Sequence, residues 1–347
     1  MAEPNGDRPR LALTMGDVSG IGPEVIARLT GDAGCQLVVG DPAVLSRALE
    51  LVGDDREVRI VASPEEAWDN PDDDQRLCCW NPSSVEVSTI PPASVDPRCG
   101  RAAADWLIAA THAALDGRVD AIVTAPLHKT ALAAAGIAEP GHTEILARVC
   151  NRDSAAMMLY LPPGTTDDGP TRGLGVAHAT LHTSIRSVPD LLTVETVNQP
   201  IQLLDGFLKR LGCPSPRIAV CALNPHAGEN GLFGDEEQSI IGPAIDAAVD
   251  AGRNVTGPLP ADTLMLRAVR GEFDGVVAMF HDQGHIAMKL VGFEAAVNVT
   301  LGLPILRTSP SHGTAFDIAW QGVAEPRGMQ SAVETAIRLW KNGRHDA

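Results

Sequence analysis

Aromatic side chains are scarce in this chain: tryptophan, phenylalanine and tyrosine together make up 3% of its 347 residues, with a single tyrosine. Few flat faces are left on which bases or sugars could stack, and the core must be built from Ala, Val and Leu instead. A basic face is missing as well. The formal charge is −17, whereas nucleic-acid binders cluster Lys and Arg against the phosphate backbone. Nucleic-acid binding is thereby excluded, and any anionic small molecule has to be held by a few local cations. No run of about 18 apolar residues occurs, so no membrane-spanning helix is expected. The start, MAEPNGDRPRLALTMG, lacks the charged-then-apolar pattern of a signal peptide. Seven cysteines, Cys35, Cys78, Cys79, Cys99, Cys150, Cys213 and Cys221, form neither a CxxC pair nor a repeating spacing. That argues against a zinc knuckle or a disulfide framework and for reduced thiols in a soluble, cytoplasmic protein. The Rossmann GxGxxG, the P-loop Gly-Lys-Ser/Thr and the zinc-protease HExxH are absent too.

What is present is an alternation of short apolar runs with Ala-rich amphipathic stretches: RLALTM then PEVIARLTG, CQLVVG then PAVLSRALELV, RAAADWLIAATHAAL then DAIVTAP. This is the pattern of α/β folds with mainly parallel strands and helices on both faces. AAMMLYL, GLGVAHA, PRIAVCAL, GVVAMF and AAVNVTL read as further buried strands, because continuous apolar character suits central parallel strands. A chain of this length exceeds the size at which one core stops growing, roughly 250–300 residues. Two α/β/α lobes around a cleft are therefore expected, with limits at 1–135 plus 300–347 for an outer lobe and 136–299 for a central one. NPDDDQ at 70–75 reads as a surface turn, PPGTTDDGPTRG at 162–173 as an exposed hairpin loop or insertion, and DEEQSIIGPAIDAAVDAG at 235–252 as a capped helix.

The densest chemistry lies between Phe280 and Arg307, where His281, Asp282, Lys289, Asn298 and Arg307 are set among apolar runs. Polar groups there are costly to bury unless each finds a partner, and a ligand can be that partner. His142 in GHTE, His182 in AHATLHTS, His226 in NPHAGE and His281 in FHDQGH each stand at or just beyond a strand or turn. Imidazole suits divalent transition ions, and parallel sheets bind ligands at the carboxyl ends of their strands. Spacing alone does not establish that these four meet. His281 and His285 stand at i,i+4, but the intervening Gly284 is unfavourable to one helical face. TMGDVSGIGPEV reads as a strand-turn-helix junction, and His128-Lys129 as either a substrate-facing loop or an exposed helix start.

Taken together, GIGPE at 20–24, HK at 128–129, AGIAEPGHTE at 135–144, LNPHAGE at 223–229, HDQG at 281–284 and VNVTLGLPILRTSPSHGTA at 297–315 resemble the 4-hydroxythreonine-4-phosphate dehydrogenase family of vitamin B6 biosynthesis. The match spans nearly the whole chain. GIGPEV and HGTAFDIAWQGVAEP are also similar to the isocitrate/isopropylmalate dehydrogenases. The resemblance implies NAD-dependent, metal-dependent oxidation of 4-phosphooxy-L-threonine, with decarboxylation, to 3-amino-2-oxopropyl phosphate. It implies a homodimer with shared active sites, the central lobe carrying the metal and dimer contacts and the outer lobe the cofactor loop. His182, His226 and His281 would hold a divalent ion, namely zinc, magnesium, manganese or cobalt. His142, Thr143, Lys289, Asn298 and Arg307 would contact the phosphorylated substrate, with Lys289 and Asp282 as the catalytic candidates. His312, Gly313, Thr314 and Ala315 would lie against NAD, with NADP the less expected cofactor.

The chain departs from the family where His285-Ile286 replaces the Leu-Pro that commonly follows HDQG, where the first motif reads GDVSGIGPE, and in the 162–173 insertion. Paralogous branches of this type act on D-threonate or D-erythronate 4-phosphate, or on a dihydrodiol carboxylate. His285, as an extra imidazole, could favour a substrate hydroxyl over an amine. A metal-dependent hydrolase or transferase on the same scaffold, and a non-catalytic sensor of a phosphorylated metabolite, are the alternatives from other classes.

Overall fold

Apolar runs such as RLALT, CQLVV and AIVT form strands because nearly every side chain on them is shielded from water. The computed structural model describes residues 8–30, 35–69, 76–152, 155–164 and 172–343. The chain divides into unit 1, Met1–Ala155 with Leu303–Ala347, and unit 2, Ala156–Gly302.

Unit 1 contains β1 (Arg10–Thr14), α1 (Gly22–Ala27), β2 (Cys35–Val39), α2 (Pro42–Val52), β3 (Glu57–Val61), α3 (Pro64–Trp68), β4 (Arg76–Trp80), α4 (Pro97–Leu115), β5 (Ala121–Thr124), α5 (Lys129–Ala134) and α6 (His142–Val149). After the excursion into unit 2 the chain returns to add β12 (Arg307–Pro310) and α12 (Arg327–Gly343). Its strands lie in the order β3-β4-β2-β1-β5-β12, every pair parallel. The expected lobe limit at 135/136 falls inside this unit. The reason is packing: α5 and α6 both lie on the long helix α4, so the unit closes only at Ala155.

Unit 2 contains β6 (Ala156–Leu161), β7 (Leu174–His178), α7 (Val188–Leu191), α8 (Val194–Arg210), β8 (Ile218–Cys221), α9 (Gly242–Asp250), β9 (Val255–Leu259), α10 (Ala261–Val269), β10 (Gly275–Ala278), α11 (His281–Gly292) and β11 (Val297–Leu301). The strand order is β11-β6-β7-β10-β8-β9. β6 runs antiparallel to both neighbours, whereas β7, β10, β8 and β9 are parallel. Strands joined by a short hairpin must pair antiparallel, and β6 and β7 flank the expected 162–173 loop, of which 165–171 lie outside the described residues. The expected turn at 70–75 lies outside them entirely. Leu159, Val176, Ala219, Leu264, Val276 and Met288 belong to one buried cluster between the strands and the helices α10 and α11. The stretch expected as one helix at 235–252 instead opens with a π-helical turn at Glu237–Ile241 before α9. Among the described residues no helix is long and apolar enough to cross a membrane.

Candidate functional site

Three adjacent parallel strands of unit 2 place the histidines. Gly275–Ala278 of β10 pairs with Gly175–His178 of β7, and Gly275–Val277 with Ile218–Val220 of β8. The chain leaving each carboxyl end carries one expected metal ligand: His182 after β7, His281 after β10 and His226 after β8. Side chains lace these ends together. The Thr180 hydroxyl donates to the Met279 carbonyl at 2.8 Å. The Gln283 amide donates to the Ala222 carbonyl at 2.8 Å and accepts from the Met279 N–H at 2.8 Å.

His182 and His281 face each other with ring centroids 6.0 Å apart, a separation at which both can reach one ion with Zn–N bonds of about 2.0–2.1 Å. They line a cavity of about 520 Å3 with Leu181, Ser184, Val188 and Phe280. His281 Nδ1 lies 2.6 Å from Asp282 Oδ1. An ionised carboxylate can only accept, so this contact fixes the proton on Nδ1 and leaves the Nε2 lone pair for a cation. His226 is exposed and opens a left-handed turn, His226 to Asn230, with φ of 53°, 56°, 77°, 45° and 58°. Such a conformation costs about 1–2 kcal/mol for each non-glycine residue. Glu237 anchors its base, accepting from the N–H groups of Leu223 and Asn224 at 2.8 and 2.7 Å. Among the described residues no three His, Cys, Asp or Glu side chains are gathered so as to hold a metal ion. Two of the three expected ligands are brought together, and the third is not drawn in.

Behind this pair lies an imidazole couple. His281 and His285 stack with centroids 3.8 Å apart and planes 10° from parallel, and His285 Nδ1 is 3.2 Å from His178 Nε2. His178 and His285 are 8% and 5% exposed. Burial, and then the neighbouring imidazoles, push the pKa of His178 down to about 3 and of His285 to about 4. The expectation that Gly284 would keep His281 and His285 off one helical face is corrected here. α11 runs unbroken through Gly284, where a Cβ would come 2.4 Å from His178 Nε2. Glycine is there to admit His178. His285 is buried beneath His281 and does not line the cavity, which corrects its expected role as a substrate-facing group.

Lys289 continues the same stripe one turn on; it is exposed, with Nζ 5.8 Å from the Phe293 ring centroid. Half-buried Asn298 on β11 donates to Met157 Sδ at 3.2 Å, while its Oδ1 is buried without a hydrogen-bond partner.

Unit 1 holds the buried cation. Arg307, 3% exposed at the start of β12, donates to the Thr124 hydroxyl at 2.6 Å. Desolvation lowers its pKa to about 9, an effect an incoming anion would reverse. Half-buried His142 opens α6 behind Gly141, with half-buried Thr143 beside it. Burial, then the charge of Arg307, holds the His142 imidazole well below its ordinary pKa. A neutral ring and a guanidinium next to each other suit a phosphate or carboxylate.

The expected cofactor loop of unit 1, His312-Gly313-Thr314-Ala315, packs on the GIGPE turn. The Ile21 N–H donates to the Thr314 carbonyl at 3.0 Å, and a Cβ on Gly20 would lie 2.9 Å from Thr314. Ala315 has φ 43°. Glu24 of the same motif is fully buried and accepts from the Ala324 N–H at 2.7 Å. His128 stacks on Phe316 with centroids 4.7 Å apart, while Lys129 is exposed. His312 Nε2 and His128 Nδ1 are buried without hydrogen-bond partners, which suits a polar ligand against this loop. All seven cysteines are free, and burial pushes the thiols of Cys99 and Cys221 up to about 12, so neither is a nucleophile at neutral pH.

The sequence pattern does not single out His178, Gln283, Glu237 or Thr124. His178 stands four residues before His182 in AHATLH, and Gln283 sits inside HDQG, so both lie in motifs that the sequence does mark. Glu237 and Thr124 carry no local mark.

Comparison with known proteins adds a family. Residues 32–336 match the family described as pyridoxal phosphate biosynthetic protein PdxA. The chain is 42% identical to the D-threonate 4-phosphate dehydrogenase of Pectobacterium atrosepticum over 95% of this chain and 98% of that one. It is 46% identical to the 4-hydroxythreonine-4-phosphate dehydrogenase of Beijerinckia indica over 96% and 95%. Among solved structures, the 4-hydroxythreonine-4-phosphate dehydrogenase of Klebsiella pneumoniae is similar with a TM-score of 0.81 and 43% identity, over 96% of this chain and 99% of that one.

Proposed function

The chain belongs to the PdxA family of pyridoxal phosphate biosynthetic proteins, and on that premise we propose that it is an oxidoreductase acting on the secondary hydroxyl of a four-carbon acid 4-phosphate. The lead substrate is 4-phosphooxy-L-threonine, oxidised with NAD and decarboxylated to 3-amino-2-oxopropyl phosphate. The observation that carries the reading is the pairing of His182 and His281 across 6.0 Å, with Asp282 fixing the tautomer of His281. Imidazole donors at the carboxyl ends of parallel strands suit a divalent transition ion better than magnesium, with His226 as the third ligand.

Lewis-acid stabilisation of negative charge on the substrate oxygen is what a divalent ion adds when bound, and NAD adds the hydride acceptor. The remaining work falls to the chain. Arg307 offers a fork to the phosphate or carboxylate, and His142 and Thr143 contribute neutral hydrogen bonds beside it. Lys289 is the group for proton transfer at the reacting end, and the unsatisfied Asn298 Oδ1 accepts from a substrate hydroxyl or amine. Asp282 acts by orienting His281. The loop His312 to Ala315 carries the dinucleotide. A homodimer is supported by the apolar side chains that α11 and its end leave in water, Ile286, Leu290 and Phe293.

D-threonate 4-phosphate is the second reading, favoured by the relative of that name at 42% identity. Both are tested by following NADH at 340 nm with each substrate, NAD or NADP, and added Zn, Mg, Mn or Co. The expected result is turnover of at least one of the two that a chelator abolishes. Turnover of neither, or hydrolysis without NADH, would overturn the reading and return the hydrolase or sensor alternatives.

A further inference from the structure

We propose that His285 is a positioning residue that clamps the ring of His281 from beneath, is itself held in place by His178, and so fixes the orientation in which His281 meets a divalent cation. The inference rests on the metal reading above only for its cation; the clamp itself is geometry.

Three observations carry it. His281 and His285 are stacked at 3.8 Å and 10°, which sets the ring plane of His281 from one side. Asp282 Oδ1, 2.6 Å from Nδ1, sets the rotation of the same ring from its edge. Together these constraints determine where Nε2 points. His285 in turn is tied through Nδ1 to His178 Nε2 at 3.2 Å, and the approach of His178 requires the missing Cβ of Gly284. A purely structural explanation does not fit the chemistry. Two imidazoles at 8% and 5% exposure are dearer to bury than Leu or Phe of similar volume, and the Nδ1 of His178 is left buried without a hydrogen-bond partner. The cost is offset if the couple supports a group whose orientation matters, as the outer partners of metal-binding histidines do.

The test compares full-length wild type with His285→Leu and His285→Phe, each labelled with 13C and 15N in the histidine rings. Thermal unfolding establishes that each variant is folded. In wild type the His281 ring signals are expected to be sharp and displaced by the ring current of His285. In His285→Leu the displacement is lost and Co2+ affinity falls about 10- to 100-fold, the usual range for removing an outer-shell partner. His285→Phe keeps an aromatic stack but not the tie to His178, and its losses are expected to be smaller than those of His285→Leu. Should His285→Leu fail to fold, His178→Asn frees His285 without removing its ring, and the His281 signals are then expected to broaden. Wild-type His281 signals and Co2+ affinity in His285→Leu would overturn the proposal, as would equal losses in the Leu and Phe variants. If wild type binds no Co2+, the metal reading fails, and the ring signals still decide the clamp.

Discussion

Unit 1 and unit 2 are built from the same strand-helix alternation and bury different kinds of polar group. Unit 1 buries a permanent cation, Arg307, beside the neutral imidazole of His142 and the hydroxyl of Thr124. Unit 2 gathers four imidazoles, His178, His182, His281 and His285, in a chain of ring contacts from 3.8 to 6.0 Å. Desolvation drives both. It lowers the proton affinity of the Arg307 guanidinium in one place and of the His178 and His285 imidazoles in the other. The lesson is that a fold shared at the level of elements says little about a site, whose character is decided by which few polar groups are buried and whether they can lose their charge.

The largest expected effect breaks that contrast on the side of unit 1. Arg307→Met removes the fork while keeping apolar bulk, and kcat/KM for the phosphorylated substrate should fall by about 1000-fold, roughly 4 kcal/mol. Tm should hold or rise, because a buried cation has been removed. A loss of less than tenfold would mean that unit 1 is not the anion-binding half.

The next effect bears on unit 2. Gly284→Ala puts a Cβ 2.4 Å from His178 Nε2, and the overpacking should cost about 1–3 kcal/mol in chemical denaturation. An unchanged midpoint would show that the imidazole couple is looser than its geometry implies.

How far the sequence alone reaches is plain from these residues. The continuous apolar runs that became β1, β2, β5 and β10 were legible, since such segments have few other ways to hide from water. β12 was not: RTSP is polar yet wholly buried, because Arg307 bonds to Thr124 and the Thr308 hydroxyl donates to Ala332 at 2.8 Å. β3 was hidden by its largely exposed edge position, where EVRIV mixes charged and apolar residues. At the site, His182 and His281 could be named but not their meeting, and Gly284 was read as unfavourable to a shared helical face, whereas a Cβ there would come 2.4 Å from His178 Nε2. Arg307 and His142 are 165 positions apart, so no local pattern reports their proximity.

A smaller effect sharpens the comparison through pH. In unit 2 Asp274 accepts from the Arg217 backbone N–H at 2.9 Å and from its Nε and Nη2 at 3.0 and 2.8 Å. Burial opposes ionisation of this carboxyl, but the hydrogen bonds and charge of Arg217 outweigh it and hold the pKa below the ordinary value. A depressed carboxylate pKa stabilises the fold above the unfolded-state value, about 4, and the benefit is lost as pH falls through the folded-state value. Asp274→Asn should therefore cost about 1 kcal/mol at pH 7, allowing for the partly exposed partner. The gap to wild type should close in urea unfolding below about pH 4; a gap independent of pH would contradict the assignment. Asp41→Ala in unit 1, which removes the cap accepting from Ala43 and Val44 N–H at 2.9 and 3.0 Å, should cost a similar amount, about 1 kcal/mol, with amide exchange rising in the first turn of α2. Unaltered exchange there would show the cap to be dispensable.

The most direct test of the account is Co2+ titration, read by visible absorption, of wild type and of His182→Ala, His226→Ala and His281→Ala. The prediction is one ion bound per chain in wild type and loss of that binding in each of the three variants. Binding that survives in any of the three variants, or that never occurs in wild type, would contradict it.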